Sequence, residues 1–195
     1  MVSTLRQEAL SVINALQNSG TAIVPTDTIP GIACNALDEK AVLKIFEIKN
    51  RIKTKPYAIF VSGADWILQN CILNKEQQDY VKTILPGAFT IVAKLKNAEL
   101  AAKLGGLIAP NAIVGIRVPN DPLCLEVSKL FDGFMAATSV NLSGESPAKN
   151  FAEINPLISS KANFICKAEF FNGCSGKPSS IADLTKDTIE VQVRG

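Results

Sequence analysis

Short apolar runs of strand length recur along this chain, and stretches with helical periodicity separate them. TAIVP (21–25), YAIFV (57–61), FTIVAKL (89–95), IVGIRV (113–118) and FMAAT (134–138) are too short for buried helices. Between them, Leu5, Ala9, Val12, Ile13 and Leu16 share one helical face, and Ala41, Val42, Ile45 and Phe46 share another over 39–49, where Asp38 is the expected cap. Thr4 with Gln7 reads as a capping pair for the first helix, and Gly20 as its left-handed stop. Ser62 with Asp65, Asn74 with Gln77, Asp121-Pro122 and Asn150 with Glu153 mark further helix starts. A looser stretch is expected around Gly105-Gly106, and NFICKAEF, SSIADL and TIEVQV read as late strands. This alternation predicts an α/β fold with a mixed, twisted sheet. With 195 residues, no repeat and no linker, one domain is expected over 1–195.

Composition narrows the chemistry more than the fold. The chain has no histidine, which excludes Ser-His-Asp and Cys-His catalysis and any histidine-based zinc hydrolase. Its five cysteines form no C-x-x-C pair, so no metal site is expected and the thiols read as reduced, in a cytoplasmic protein. No apolar run approaches a membrane span, and MVSTLRQEAL is no signal peptide. A formal net charge of +2 is too small for general nucleic-acid coating, so any positive site must be local. An enzyme of this composition works mainly by binding, orientation and electrostatics.

Four stretches place polar groups where a strand meets a loop, the usual position of ligands in α/β sheets. PTDTIPG (25–31) follows the first strand; alone it reads as a well-capped turn, with Asp27 as the capping group. EIKNRIKTKPY (47–57) carries Lys49, Arg51, Lys53 and Lys55 two apart, which suits either a solvated basic loop or an anion such as a triphosphate. In ATSVNLSG (137–144), Ser139, Asn141 and Ser143 alternate, and an extended backbone would aim them at one place. GKPSSIADL (176–184) offers Ser179 and Ser180 at a strand start, with Arg194 further on, and Arg117 is a charge inside an apolar strand that wants a partner or a cleft.

In order, these stretches resemble the signatures of the YrdC/TsaC family of threonylcarbamoyl-adenylate synthases. PTDTIPGIA is similar to its PTDTVYGLG, KNR (49–51) to K-x-R, LPGAFTIV to PGPxT, VGIRVP to VAVRxP, ATSVNLSG to STSANxSG and KPSSIADL to PSTIxD. The resemblance implies a YrdC-like twisted mixed sheet flanked by helices, with a concave positively charged cleft, in the short single-domain form. It also implies a nucleotidyltransferase that joins L-threonine, bicarbonate and ATP into threonylcarbamoyl-AMP and pyrophosphate for threonylcarbamoyladenosine modification of tRNA. By motif position, Lys49, Arg51, Ser139 and Asn141 would hold the ATP phosphates, with Lys49 and Arg51 as the catalytic pair and Ser143 and Arg194 also on the nucleotide. Thr28, Ser179 and Arg51 would surround the threonine, and Thr26 and Arg117 would line the cleft. ATP is then a substrate, with Mg²⁺ bound through its phosphates. Beyond the three substrates, tRNA and tRNA-modification proteins are the implied partners.

The sequence departs from the family pattern at Pro30, where an aromatic is usual, at Ile52 and Lys53, and at Val140, where a small alanine is usual. These departures keep two alternatives open: an RNA-binding YrdC-like module, and a degenerate homologue that binds nucleotide without catalysis.

Overall fold

A computed structural model of the chain describes residues 3–50 and 57–194. Helix α1 (Thr4–Gln17) opens one residue earlier than the capping pair predicted, because Ser3 takes the cap and accepts from the Arg6 amide at 3.3 Å. Ser19, not Gly20, adopts the left-handed conformation after it, with φ 54°. Gly20 is needed for closeness instead: a Cβ there would lie 2.6 Å from the Ala15 carbonyl oxygen.

Strand β1 (Ala22–Val24) is followed at once by β2 (Gly31–Asn35), then α2 (Glu39–Lys49), β3 (Ala58–Phe60), α3 (Ala64–Asn70) and α4 (Lys75–Ile84). The second half runs β4 (Phe89–Lys94), α5 (Ala98–Ile108), β5 (Ile113–Arg117), α6 (Pro122–Leu130), β6 (Met135–Ser139), α7 (Pro156–Ser159), β7 (Phe164–Ile165), β8 (Ser180–Asp183) and β9 (Glu190–Gln192). Asp38, Asn74 and Asp121 cap α2, α4 and α6 as expected, and Asn74 with Gln77 forms a reciprocal capping box. Four expectations shift. Gly63 caps α3 without a side-chain bond, so Ser62 is not its cap. The looser stretch is a helix broken at Gly105, whose φ of 67° and ψ of 170° no helix allows. Asn150 and Glu153 bracket only a single 3-10 turn, and AEF of the late run KAEF lies in another, over Ala168–Gly173.

Among the described residues, nine strands form one mixed sheet in the order β7-β1-β2-β6-β3-β5-β4-β8-β9. Three pairs are parallel (β1 with β7, β3 with β5, β4 with β8) and the other five are antiparallel. On one face Ile32, Cys34, Ile59, Ile91, Ile116 and Ala136 are fully buried. Helices pack around this core, α1 against β1, β2 and α6, and α2 against β2 and α5. The opposite face carries Gly31, Ala58, Gly115 and Ala137, because successive strand residues point to opposite sides. Four residues this small on adjacent strands leave a shallow floor that larger side chains would fill. No helix among the described residues is long and apolar enough to cross a membrane.

Candidate functional site

That floor is the base of a cavity of about 540 Å³, within the range of small-molecule sites. Its lining follows the strand period: Ala58 and Phe60 from β3, Thr90 and Val92 from β4, Gly115 and Arg117 from β5, Ala137 and Ser139 from β6. The loop between β1 and β2 closes one side with Thr26, Thr28 and Pro30, and Ser179 and Arg194 close another.

Arg117 organises the first side. Its side chain is buried, and Nη2 donates to Asp27 Oδ1 at 2.5 Å while Nη1 donates to Thr28 Oγ1 at 2.7 Å. The guanidinium also lies over the Phe60 ring, 5.7 Å from its centroid. Asp27 was expected to cap its own turn, and it is instead the counter-charge for Arg117, 90 residues away. The turn is capped by Thr26, whose hydroxyl receives the Thr28 and Ile29 amides at 3.0 and 3.1 Å. With both lone pairs filled, Thr26 Oγ1 gives its own proton to the Ile29 carbonyl at 2.8 Å or to Thr28 Oγ1 at 2.9 Å. Thr28 Oγ1 accepts from Arg117, so its proton is left for an acceptor in the cavity. Arg117 Nε is buried with no partner among the described residues.

The opposite side is a hydroxyl pair under an arginine. Ser179 Oγ lies 2.8 Å from Thr90 Oγ1, and Arg194 donates from Nε to the Ser179 carbonyl at 2.8 Å and from Nη2 to Ser179 Oγ at 3.2 Å. Burial, and then the charge of Arg117, pull the Arg194 guanidinium down from the ordinary arginine range. Two guanidiniums therefore share one cavity, but Asp27 balances Arg117, so the net positive charge that favours an anion comes from Arg194.

The third wall is the turn after β6. Ser139 lines the cavity and gives its hydroxyl proton to Asn141 Oδ1 at 2.6 Å. The Asn141 amide is spent locally, since Nδ2 donates to the Leu142 and Glu145 carbonyls at 2.9 and 2.8 Å. Lys49 lies beneath this turn rather than in the cavity lining: its buried ammonium donates to the Ser139 carbonyl, to the Asn141 carbonyl at 2.7 Å and to Asn141 Oδ1 at 3.1 Å. Ser143 is exposed, and its amide donates to the Lys49 carbonyl at 2.9 Å. Thus Thr26, Thr28, Arg117, Ser139, Ser179 and Arg194 meet in one cavity, while Asn141, Ser143 and Lys49 form its support. Arg51, Lys53 and Lys55 lie outside the described residues.

Pro30 lines the cavity, so this departure falls on the binding surface. Val140 is buried in the core and its amide donates to the Pro30 carbonyl at 3.1 Å, so its extra bulk does not enter the cavity. Thr90 and Asp27 were missed as site residues. Thr90 faces the floor at an i, i+2 step from Val92, a signal that strand periodicity alone carries.

Asp121 stands beside this network. Burial, reinforced by the nearby Asp27 charge and offset in part by the Cys124 amide, pushes its carboxyl above the usual carboxylate range. A raised folded-state pKa means that the fold favours the protonated acid, so stability is lost as pH rises from the unfolded-state pKa toward the folded one and the full penalty remains above it. Asp121→Asn keeps an oxygen for the Cys124 amide, now accepted at 2.8 Å. It is expected to raise the melting temperature at pH 7 by a degree or more, and the gain should vanish near pH 3, measured by thermal unfolding at both values.

A family model described as Telomere recombination, that of the Sua5/YciO/YrdC proteins, matches residues 14–195. A protein of Bos taurus named threonylcarbamoyl-AMP synthase is 32% identical over 151 residues, 77% of this chain and 53% of the relative. A protein of the same name from Xanthomonas campestris is 27% identical over 189 residues, 92% of this chain and 94% of the relative. Among solved structures, P. abyssi Sua5 complexed with L-threonine superposes with a TM-score of 0.81 at 22% identity, covering 98% of this chain and 54% of that one. The chain thus spans about half the length of the bovine relative and of Sua5, and nearly all of the Xanthomonas protein.

Proposed function

Because this chain belongs to the Sua5/YciO/YrdC family, we propose that its cavity joins L-threonine, bicarbonate and ATP into threonylcarbamoyl-AMP and pyrophosphate. This nucleotidyl transfer would serve threonylcarbamoyladenosine formation in tRNA. The observation that carries the reading is the two-ended cavity, with Arg117 and Thr28 on one side, Arg194 and Ser179 on the other, and Ser139 on the wall between.

The threonine amine attacks the carbon of bicarbonate, water leaves, and an N-carboxylate results. One oxygen of that carbamate attacks the α-phosphorus of ATP, and pyrophosphate departs with the bonding electron pair. Substrates and leaving group are anionic or become so, and the cavity offers two guanidiniums and several hydroxyls to neutralise and align them. Arg117 and the Thr28 hydroxyl proton are assigned to the threonine end, which Ser179 faces from across the cavity, with Thr26 holding Thr28 in place. Ser139 and Arg194 are assigned to the nucleotide. Arg51 completes that set by motif, and Asn141, Ser143 and Lys49 contribute through the turn that they build beneath Ser139.

The described cavity lining contains no carboxylate, and no group of three or more metal-ligating side chains occurs among the described residues. Such a lining suits a Mg²⁺ held by the phosphates and water, where it would neutralise charge on the pyrophosphate. The test is incubation with ATP, L-threonine and labelled bicarbonate. Labelled threonylcarbamoyl-AMP with equimolar pyrophosphate is expected. Pyrophosphate without a labelled adenylate, or neither product, would overturn the reading.

A further inference from the structure

Thr90 and Ser179 leave a hydrogen-bonding capacity that the reaction steps above do not use. The two hydroxyls hold two protons between them, and one is committed to their 2.8 Å contact. Ser179 Oγ also accepts from Arg194 Nη2 at 3.2 Å, which fixes one of its lone pairs. Whichever of the two donates to the other, one proton and at least one lone pair remain, both beside the cavity that these residues line. A group that gives and takes a proton at one point matches another hydroxyl. A carboxylate or phosphate oxygen would use only the proton, and an ammonium only the lone pair.

The orientation of Thr90 is set by its neighbours. Its Cγ2 lies 3.5 Å from where a Cβ on Gly115 would stand, so the methyl packs over the glycine floor and the hydroxyl turns to Ser179. Strand β4 holds the residue rigidly, since Thr90 is in register with Ile181 of β8. Thr28 and Arg117, the anion-binding groups, lie on the β5 side of Thr90. An amino acid held there by its carboxylate can extend its side chain toward β4 and β8.

We infer that Thr90, paired with Ser179, is the specificity-determining residue that recognises the substrate's side-chain hydroxyl and rejects β-branched amino acids of the same shape without one. The inference rests on the proposed use of L-threonine. Discrimination of this kind is strong because a substrate lacking the hydroxyl leaves buried polar groups unpaired.

The test compares L-threonine with L-valine, its near isostere, in wild type, Thr90→Val and Thr90→Ser. Circular dichroism checks that the variants fold. Pyrophosphate release gives kcat/KM for each amino acid, and calorimetric titration of the amino acid alone gives affinity without turnover. Wild type should prefer threonine. Thr90→Val should lose about 10- to 100-fold of that preference, mostly through weaker threonine use, while Thr90→Ser retains it. A preference unchanged in Thr90→Val, or a wild type that binds and uses both amino acids equally, overturns the inference. If no adenylate forms but wild type binds threonine over valine and Thr90→Val does not, the recognition role stands and the catalytic reading falls.

Discussion

Arg117→Met is expected to abolish measurable pyrophosphate release and to destabilise the fold by about 3–5 kcal/mol, the usual cost of removing one partner from a buried ion pair. The substitution keeps a long apolar stem over Phe60 but leaves the Asp27 carboxylate, only 10% exposed, without its counter-charge. It also removes the donor at 2.7 Å that orients the Thr28 hydroxyl. Arg117→Lys should rescue little, because one ammonium cannot copy a planar fork that meets Asp27 and Thr28 together. Pairing Arg117→Met with Asp27→Leu removes both charges and should return most of the lost stability, as read by urea unfolding, without returning activity. Recovery of both in the double variant would reduce Arg117 to a structural role.

Much of the architecture was legible because its signals are local. The helix caps at Asp38, Asn74 and Asp121 are set by residues within three positions of each other, and the strand runs declare themselves by length and composition. Strand β2 escaped because GIACN is short, small and continuous with the preceding turn, and only its pairing between β1 and β6 makes it a strand. The helix through Gly105 escaped for the opposite reason: two glycines argue for a loop, yet Leu104 and Ile108 on either side are buried in the core.

The site was legible as a set of motifs but not as a division of labour. A buried charge in IVGIRV demanded a partner, and PTDTIPG held one, but nothing local says that residues 27 and 117 meet. Sheet order decides that. The end of β5 and the loop after β1 close over one floor because β2, β6 and β3 between them carry Gly31, Ala137 and Ala58 there. In the same way Thr90 gains its role only when β4 and β8 become parallel neighbours.

Lys49 shows how burial changes a motif's meaning, and Lys49→Met is the second substitution with a large expected effect. In sequence it heads a cationic run and reads as a phosphate ligand. In the structure its side chain is almost fully buried, and its ammonium is the donor for the Ser139 carbonyl, the Asn141 carbonyl and Asn141 Oδ1. Methionine fills most of the stem's path but donates nothing, so these buried acceptors lose a charged donor and about 3 kcal/mol of stability should go with it. The turn from Ser139 to Glu145 is tied to the end of α2 through this ammonium and through the bond from the Ser143 amide to the Lys49 carbonyl. Loosening it moves Ser139 off the cavity wall. A lysine that only grips phosphate would, when replaced, weaken ATP and leave L-threonine affinity and the urea midpoint unchanged. An anchor beneath the wall predicts losses in all three, with pyrophosphate release falling at least 100-fold, as a misplaced wall of this kind can cost. Calorimetric titration of each substrate into Lys49→Met, beside its unfolding curve, decides between a ligand of the nucleotide and the support on which its site is built.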